Sequence, residues 1–303
     1  MEEVCILANF GAPDSMSEGA SESFLREFLS DPCVIPLPNP IRFFIAKKIA
    51  GRRAQIYADN LRAIAMGGVS PIVAHTDSLA KKVEKISGVK TLAAYRYGKR
   101  SIGRAVETAR AAGARKFAVL PMYPQNCPHT TGSIERVLNK TKKFAGEKFS
   151  LSLSYHDNPL YIDALARRLS GAGAEAAIAS FHSAPARGAQ IYERECSRTA
   201  ELVCEKAGVK NMLLGWQSKT GKGKWLEPET ITLARKCASR GIKKIAVFCP
   251  GFSVDCTETL IEIGRDLRGD FLSRGGESLE LAPCLNDSDD HAELFAALAK
   301  EIL

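Results

Sequence analysis

No stretch of this 303-residue chain approaches the ~18–20 consecutive apolar residues that a membrane-spanning helix needs. The N-terminus lacks the basic start and small-residue cleavage site of a secretory signal. Met1-Glu2-Glu3 is acidic and runs at once into an apolar strand, so a cytoplasmic location is expected. No two cysteines are spaced C-x-x-C. Nine of them stand scattered at 5, 33, 127, 196, 204, 237, 249, 256 and 284, an odd number without the clustering that a zinc or iron–sulfur site requires. They read as free, mostly buried thiols. Nucleotide signatures are missing too. Gly215-Trp216-Gln217-Ser218-Lys219-Thr220-Gly221-Lys222 imitates a phosphate loop, but it has one residue too many between its glycines, and Gly223 replaces the required Ser or Thr. No G-x-G-x-x-G follows a strand, which argues against a kinase or an NAD enzyme.

What remains is an ordinary globular composition, 45% hydrophobic and 25% charged, with a net charge of +8. Such a charge suits nucleic acid, an anionic membrane surface or an anionic small substrate. Nucleic acid is not expected, because no reader motif accompanies it. The basic residues gather early, at Arg42, Lys47, Lys48, Arg52 and Arg53, among Ile41, Phe43, Phe44, Ile45 and Ile49. Ile41–Arg53 therefore reads either as a segment lying on lipid or as an amphipathic helix with a solvated basic face.

Eight short apolar runs recur: Val4–Ala8, Lys90–Tyr95, Phe117–Met122, Phe149–Tyr155, Ala176–Phe181, Asn211–Trp216, Lys244–Cys249 and Ser278–Pro283. Helical patterns such as Ser101–Ala112, Asp163–Ser170, Glu195–Ala207 and Pro228–Ser239 separate most of them. Near-continuous apolar strands alternating with helices predict an α/β fold with parallel sheets covered on both faces. The strands divide four and four around Asn158–Gly173, which predicts two similar doubly wound lobes, 1–157 and 158–303. Ligands in such folds bind beyond the carboxyl ends of strands, so strand ends carry the candidates. His182 stands directly after an apolar strand, and so does His156; position alone does not choose between them. Asp255, Glu258, Glu262 and Asp266 are spaced 3, 4 and 4 apart, which places them on one helix face. That row is either a solvated face relieved by Arg265 and Arg268 or a track that attracts a divalent cation and accepts protons.

In chain order, NFGAP at 9–13, FLREFLSDPCVI at 24–35, GGVSPI at 67–72, AYRYG at 94–98, LPMYPQ at 120–125, TTGS at 130–133, YHDNPLYI at 155–162, SFHSAP at 180–185, GWQSKTG at 215–221, CPGFSVDCTETLIEIG at 249–264 and APCLNDS at 282–288 together resemble the ferrochelatase family. SFHSAP and DCTETL are the most specific of these. The resemblance implies two Rossmann-like lobes, each a four-stranded parallel sheet with helices on both faces, holding a porphyrin in the cleft between them; the basic, apolar segment Ile41–Arg53 is expected to form the mouth of that cleft. It implies Fe²⁺ and a free-base porphyrin as substrates, with His182 and Glu258 as the essential pair. Glu262 and Asp266 match the family's acidic row, so His182, Glu258, Glu262 and Asp266 are the expected metal-handling residues. Trp225 and Ser218, with Phe10, Arg96 and Ser70, match the porphyrin pocket.

The chemistry asks for such residues. Two pyrrole protons must leave as the metal enters, and an imidazole can take a proton near neutral pH or bind the cation. Carboxylates replace waters of a hydrated divalent ion. A wall that bends the macrocycle turns a nitrogen lone pair outward. Phe10 occupies a position that is Tyr in members acting on coproporphyrin, which favours protoporphyrin IX over coproporphyrin III. Cys127 is offset from a cluster-ligand position and no cysteine-bearing tail follows the last helix, so neither an iron–sulfur cluster nor any other cofactor is expected. Cys256 stands where some members have a histidine. The alternatives are a cobalt or nickel chelatase of a related tetrapyrrole, or a carrier without turnover. Peripheral attachment at the inner membrane face is compatible with the basic segment.

Overall fold

The computed structural model describes residues 2–141, 147–170, 173–220 and 223–303. Gly221 and Lys222, which end the GWQSKTG segment and the imitation phosphate loop, lie outside them. The chain forms two compact units: one of Met1–Met122, Cys127–Leu153 and Ala292–Leu303, the other of Tyr123–Asn126 and Ser154–His291. The anticipated cut at 157/158 falls close to Leu153, but the division is not a single cut.

In the first unit, β1 (Glu3–Asn9), β2 (Lys90–Tyr95), β3 (Lys116–Pro121) and β4 (Lys148–Leu151) make an all-parallel sheet of order β2-β1-β3-β4. In the second, β5 (Ala176–His182), β6 (Met212–Gln217), β7 (Lys244–Phe248) and β8 (Ser278–Leu281) repeat it as β6-β5-β7-β8, also parallel throughout. Val4 aligns with both Lys90 and Phe117, and Ile178 with both Leu213 and Val247, so β1 and β5 are the central strands. Val4 through Ala8 are wholly buried, because helices cover both sheet faces, and this is why the strands read as unbroken apolar runs. The last strand is shorter than its apolar run: Ala282 N–H still reaches Val247 O, but Pro283 has no N–H to continue the ladder.

Helices α1 (Glu18–Leu29), α2 (Asn39–Ile64), α3 (Pro71–Ser87), α4 (Ile102–Ala111) and α5 (Thr131–Thr141) belong to the first unit. α2 buries Arg42, Ala46, Ala50, Ala54, Ala58 and Leu61 and packs on α1, the small alanines at four-residue spacing letting the two helices approach closely. Its other face leaves Phe43 51% and Phe44 68% exposed, with Lys47, Lys48, Arg52 and Arg53 in solvent beside them. Arg42 does not join that basic face. It is buried, donates through Nη1 to Leu37 O at 2.7 Å and reaches Asn39 through Nη2. Among the described residues no helix is long and apolar enough to cross a membrane.

In the second unit α6 (Pro159–Leu169), α7 (Gln190–Ala207) and α8 (Thr230–Ser239) surround the sheet. A π-helix over Glu258–Leu267 follows and runs straight into α9 (Arg268–Ser273); α10 (Asp289–Ile302) closes the chain. Ile263 and Leu267 of the π-helix join Ile178, Val247, Leu279 and Phe271 in one core, which fixes the side that the π-helix turns away from the sheet. The anticipated α-helical acidic face is therefore built on i→i+5 turns, a form that recurs at functional sites.

Candidate active site

The order β6-β5-β7-β8 reverses direction between β5 and β7, and the ends of those two strands are where a doubly wound sheet opens to a ligand. β5 ends on His182 and β7 leads into Pro250-Gly251-Phe252. The imidazole of His182 is exposed, and its ring centroid lies 6.5 Å from that of Phe252. Its Nδ1 is 2.8 Å from Ser183 O. A carbonyl oxygen only accepts, so Nδ1 carries a proton, and in the neutral ring Nε2 holds the lone pair that a proton or a cation can meet. Tyr192 O–H donates to His182 O at 3.0 Å, and Ser183 N–H donates to Gln217 O at 2.7 Å, so the backbone behind the imidazole is pinned on two sides.

Gln217, at the end of β6, is buried, and its side chain works in two directions. Its Oε1 accepts from Ser180 Oγ at 2.7 Å, and its Nε2 donates to the backbone oxygen of Glu258 at 2.8 Å. Glu258 opens the π-helix, and its carboxylate accepts from Thr257 Oγ at 2.7 Å. Next along the same face, Glu262 accepts from Ser218 N–H at 2.7 Å and Ser218 Oγ–H at 2.5 Å. Burial pushes the Glu262 carboxyl above its ordinary range; the Ser218 donors and the facing His182 pull it down, and Glu258 pushes it further up. His182, Glu258 and Glu262 thus share one field. Asp266 stands apart on the surface, its carboxylate engaged by Arg265 at 2.7 Å. Asp255 leaves the anticipated row altogether. It is buried before the π-helix begins, accepting from Thr259 Oγ at 2.8 Å and Asn286 Nδ2 at 2.7 Å.

Trp225 is joined by backbone pairing to the segment that follows His182. Pro185 and Trp225 form an antiparallel bridge, Ala186 N–H donates to Lys224 O at 3.0 Å, and Leu226 N–H donates to Ala184 O at 2.9 Å. The SFHSAP segment and the end of the loop after β6 are therefore one local structure. His156, expected directly after the fourth strand, stands five residues beyond it, since β4 ends at Leu151; its Nδ1 is 2.9 Å from Ser154 Oγ and 3.8 Å from both Glu195 and Asp157.

Phe10, Arg96 and Ser70 lie in the first unit. Phe10 sits edge-on to Phe24, Phe28 and Tyr97 with centroids 5.7, 5.0 and 5.2 Å away. Gly11 follows at φ +109°, where a Cβ would stand 2.3 Å from Tyr97 O, so only glycine lets the chain turn this tightly beside Tyr97. Arg96, over the Tyr97 ring, donates to Ser133 Oγ at 2.6 Å and to Asp31, so its guanidinium holds a buried internal carboxylate. Burial raises the Asp31 carboxyl, but Ser133, Cys33 N–H, Arg96 and Tyr97 together bring it below its ordinary value. Ser70 is buried at the start of α3 with no capping bond from its side chain.

Sequence reasoning gave no role to Phe252, Gln217 or Asn286. The strand-end position of the first two was the available signal. Asn286 had none, since its partner lies 31 residues earlier. Among the described residues no group of three or more His, Cys, Asp or Glu side chains is arranged to hold a metal ion, so the four expected metal-handling residues do not form a closed cage. The arrangement suits a transient cation passing a bare imidazole nitrogen and a carboxylate.

A family model described as Ferrochelatase matches residues 3–303. The chain is 36% identical to the ferrochelatase of Actinobacillus pleuropneumoniae over 97% of its own length and 96% of that protein's. It is 34% identical to the ferrochelatase of Vibrio cholerae, again over 97% and 96%. Among solved structures, SirB from Bacillus subtilis with Fe³⁺ matches all of this chain and 96% of that one, with a TM-score of 0.63 at 11% identity. CbiX, described as the terminal enzyme for siroheme biosynthesis in denitrifying bacteria, matches with a TM-score of 0.52 at 14% identity over the whole of both chains. At these identities the two structures speak for the shared two-lobe fold.

Proposed function

The chain belongs to the ferrochelatase family and is a porphyrin metal chelatase, a lyase, and from that premise we propose that it inserts Fe²⁺ into a free-base porphyrin for heme synthesis. The observation that carries this reading is the bare Nε2 of His182 at the β5/β7 switch point, with Glu258 and Glu262 in the same field. His182 takes a pyrrole proton or meets the cation, and Glu258 replaces water on the metal or receives the departing proton. Phe252 and Trp225 supply flat apolar surface on which a macrocycle rests and bends. We favour protoporphyrin IX over coproporphyrin III, because Phe10 sits among Phe24, Phe28 and Tyr97 and offers no hydroxyl to extra carboxylates. The test is anaerobic mixing of purified protein with Fe²⁺, Co²⁺, Ni²⁺ or Zn²⁺ and each of the two porphyrins, followed by metalloporphyrin absorbance. Rapid Fe²⁺ insertion into protoporphyrin is expected. Turnover only with cobalt or nickel on another tetrapyrrole, or binding without turnover, would replace the reading.

The same reading needs no resident cofactor, and we propose that no iron–sulfur cluster is present. Among the described residues no three of the cysteines are grouped to hold a metal and eight of the nine are buried free thiols, whereas a cluster is held by a set of Cys thiolates. We also propose that the exposed face of α2 touches anionic lipid, because Phe43 and Phe44 stand in solvent beside Lys47, Lys48, Arg52 and Arg53. At about 1 kcal/mol per basic residue near an anionic surface, binding should be weak and salt-sensitive. The protein is expected to co-sediment with phosphatidylglycerol vesicles at low salt and to release in high salt. Replacing Phe43 and Phe44 by Ser should abolish the effect, and equal sedimentation with neutral vesicles would defeat the proposal. We propose accordingly a cytoplasmic location, peripheral at the inner membrane face.

A further inference from the structure

We infer that Glu262 serves the site as an anchor: it holds Ser218 in a left-handed backbone conformation, and Ser218 in turn positions the Trp225 segment beside His182. The inference rests on the proposed function for the identity of the ligand, and on geometry for the rest. Ser218 has φ +60°, and among the described residues only it and Asn286 combine a side chain with positive φ. Such a conformation persists where the surroundings over-determine it, and here both donors of Ser218 end on one carboxylate. With both Glu262 oxygens already accepting from Ser218, a cation at this group would have to share or displace those bonds.

The chain leaves β6 at Ser218 and comes back at Lys224–Leu226. Both ends of that excursion grip the residues after His182. Gln217 O takes Ser183 N–H at 2.7 Å, Leu226 O takes Ser183 Oγ–H at 3.3 Å, and Lys224 and Leu226 pair with Ala186 and Ala184. Ser218 thus sets the direction in which the excursion starts, and its return is seated on Ala184–Ala186. Gln217 Nε2 fixes the backbone oxygen of Glu258 one turn before Glu262, so two consecutive residues tie Glu258 and Glu262 of the π-helix to the loop. Ser218 and Glu262 are positioning residues in this scheme, acting through Trp225.

Glycine and alanine at 218 separate backbone from hydroxyl. Ser218→Ala loses the hydroxyl and keeps the strain. Ser218→Gly loses the hydroxyl but adopts the left-handed region freely, and it retains the N–H bond. In the whole chain without substrate, native-state trypsin cleavage at Lys219 and Lys224 is followed by mass spectrometry. KM for porphyrin, KM for Fe²⁺ and kcat are measured in parallel. Ser218→Ala and Glu262→Gln should each accelerate cleavage and raise the porphyrin KM about tenfold, with the Fe²⁺ KM within about twofold. Ser218→Gly should shift the same two quantities only about threefold. The double variant Ser218→Ala/Glu262→Gln should be no worse than either single one, since each removes the same interaction. Indistinguishable alanine and glycine variants would overturn the inference, and so would a Glu262→Gln protein whose cleavage is unchanged while only its Fe²⁺ KM rises. If the parent protein inserts no metal, the proposed function fails, yet the cleavage pattern still decides this inference.

Discussion

His182→Ala is expected to abolish metal insertion while porphyrin still binds. Nε2 is the atom that the fold presents: the other nitrogen is fixed as a donor to Ser183 O, and Tyr192 and Gln217 hold the backbone on either side. Removing a positioned proton acceptor typically costs about 10²–10⁴ in rate. Where the same nitrogen also meets the cation, the loss falls at the upper end. The imidazole is exposed and contributes nothing to the core, so the variant should fold normally, and quenching of porphyrin fluorescence should report binding within a few-fold of the parent. Turnover near the parent's rate would remove His182 from the mechanism.

Glu258→Gln should cost a comparable factor, about 10²–10⁴ in kcat. The substitution is nearly isosteric. The bond that seats this residue, from Gln217 Nε2 to its backbone oxygen, survives, as does the bond from Thr257 to a side-chain oxygen. What disappears is a negative charge next to Glu262 and Cys256, groups whose carboxyl and thiol Glu258 pushes up. Stability should therefore hold or rise slightly as like-charge repulsion is relieved, while insertion collapses. Circular dichroism alongside stopped-flow absorbance separates the two. A merely solvated acidic residue would give no loss of turnover, and such a result would leave only the fold and the pocket standing. Asp266, already paired with Arg265 in solvent, has no comparable claim.

The sheets were legible because central strands covered on both faces, such as Val4–Ala8, admit little but Val, Ile, Leu, Ala and Cys; the edge strand Lys90–Tyr95 was also read to the residue. Strand-end positions made His182 and His156 equal candidates. What separates them is their surroundings, a bare nitrogen beside Phe252 against one engaged by Ser154 and flanked by Glu195, and those partners are remote in sequence. The acidic spacing 3, 4, 4 reads as an α-helical face whichever helix forms, so neither the π-helix nor the loss of Asp255 to Asn286 was visible. The engagement of Arg96 with Asp31 was not visible, because Asp31 lies 65 residues away. Arg42 was readable and was missed: the alanines at 46, 50, 54 and 58, continued back by four, land on it.

The way the backbone threads the two units bears on how the protein is made. The chain passes from the first unit to the second at Tyr123, returns at Cys127, leaves again at Ser154 and comes back at Ala292. No contiguous half contains either unit. A ribosome that has released residues up to 153 has delivered β1 to β4 but not the Ala292–Leu303 portion of the same unit. Gln125, whose amide donates to Thr199 Oγ at 3.1 Å, must likewise wait for α7 to emerge. The first unit thus cannot be completed until Ala292–Leu303 have emerged, and until then the nascent chain depends on whatever shields its unfinished apolar surfaces.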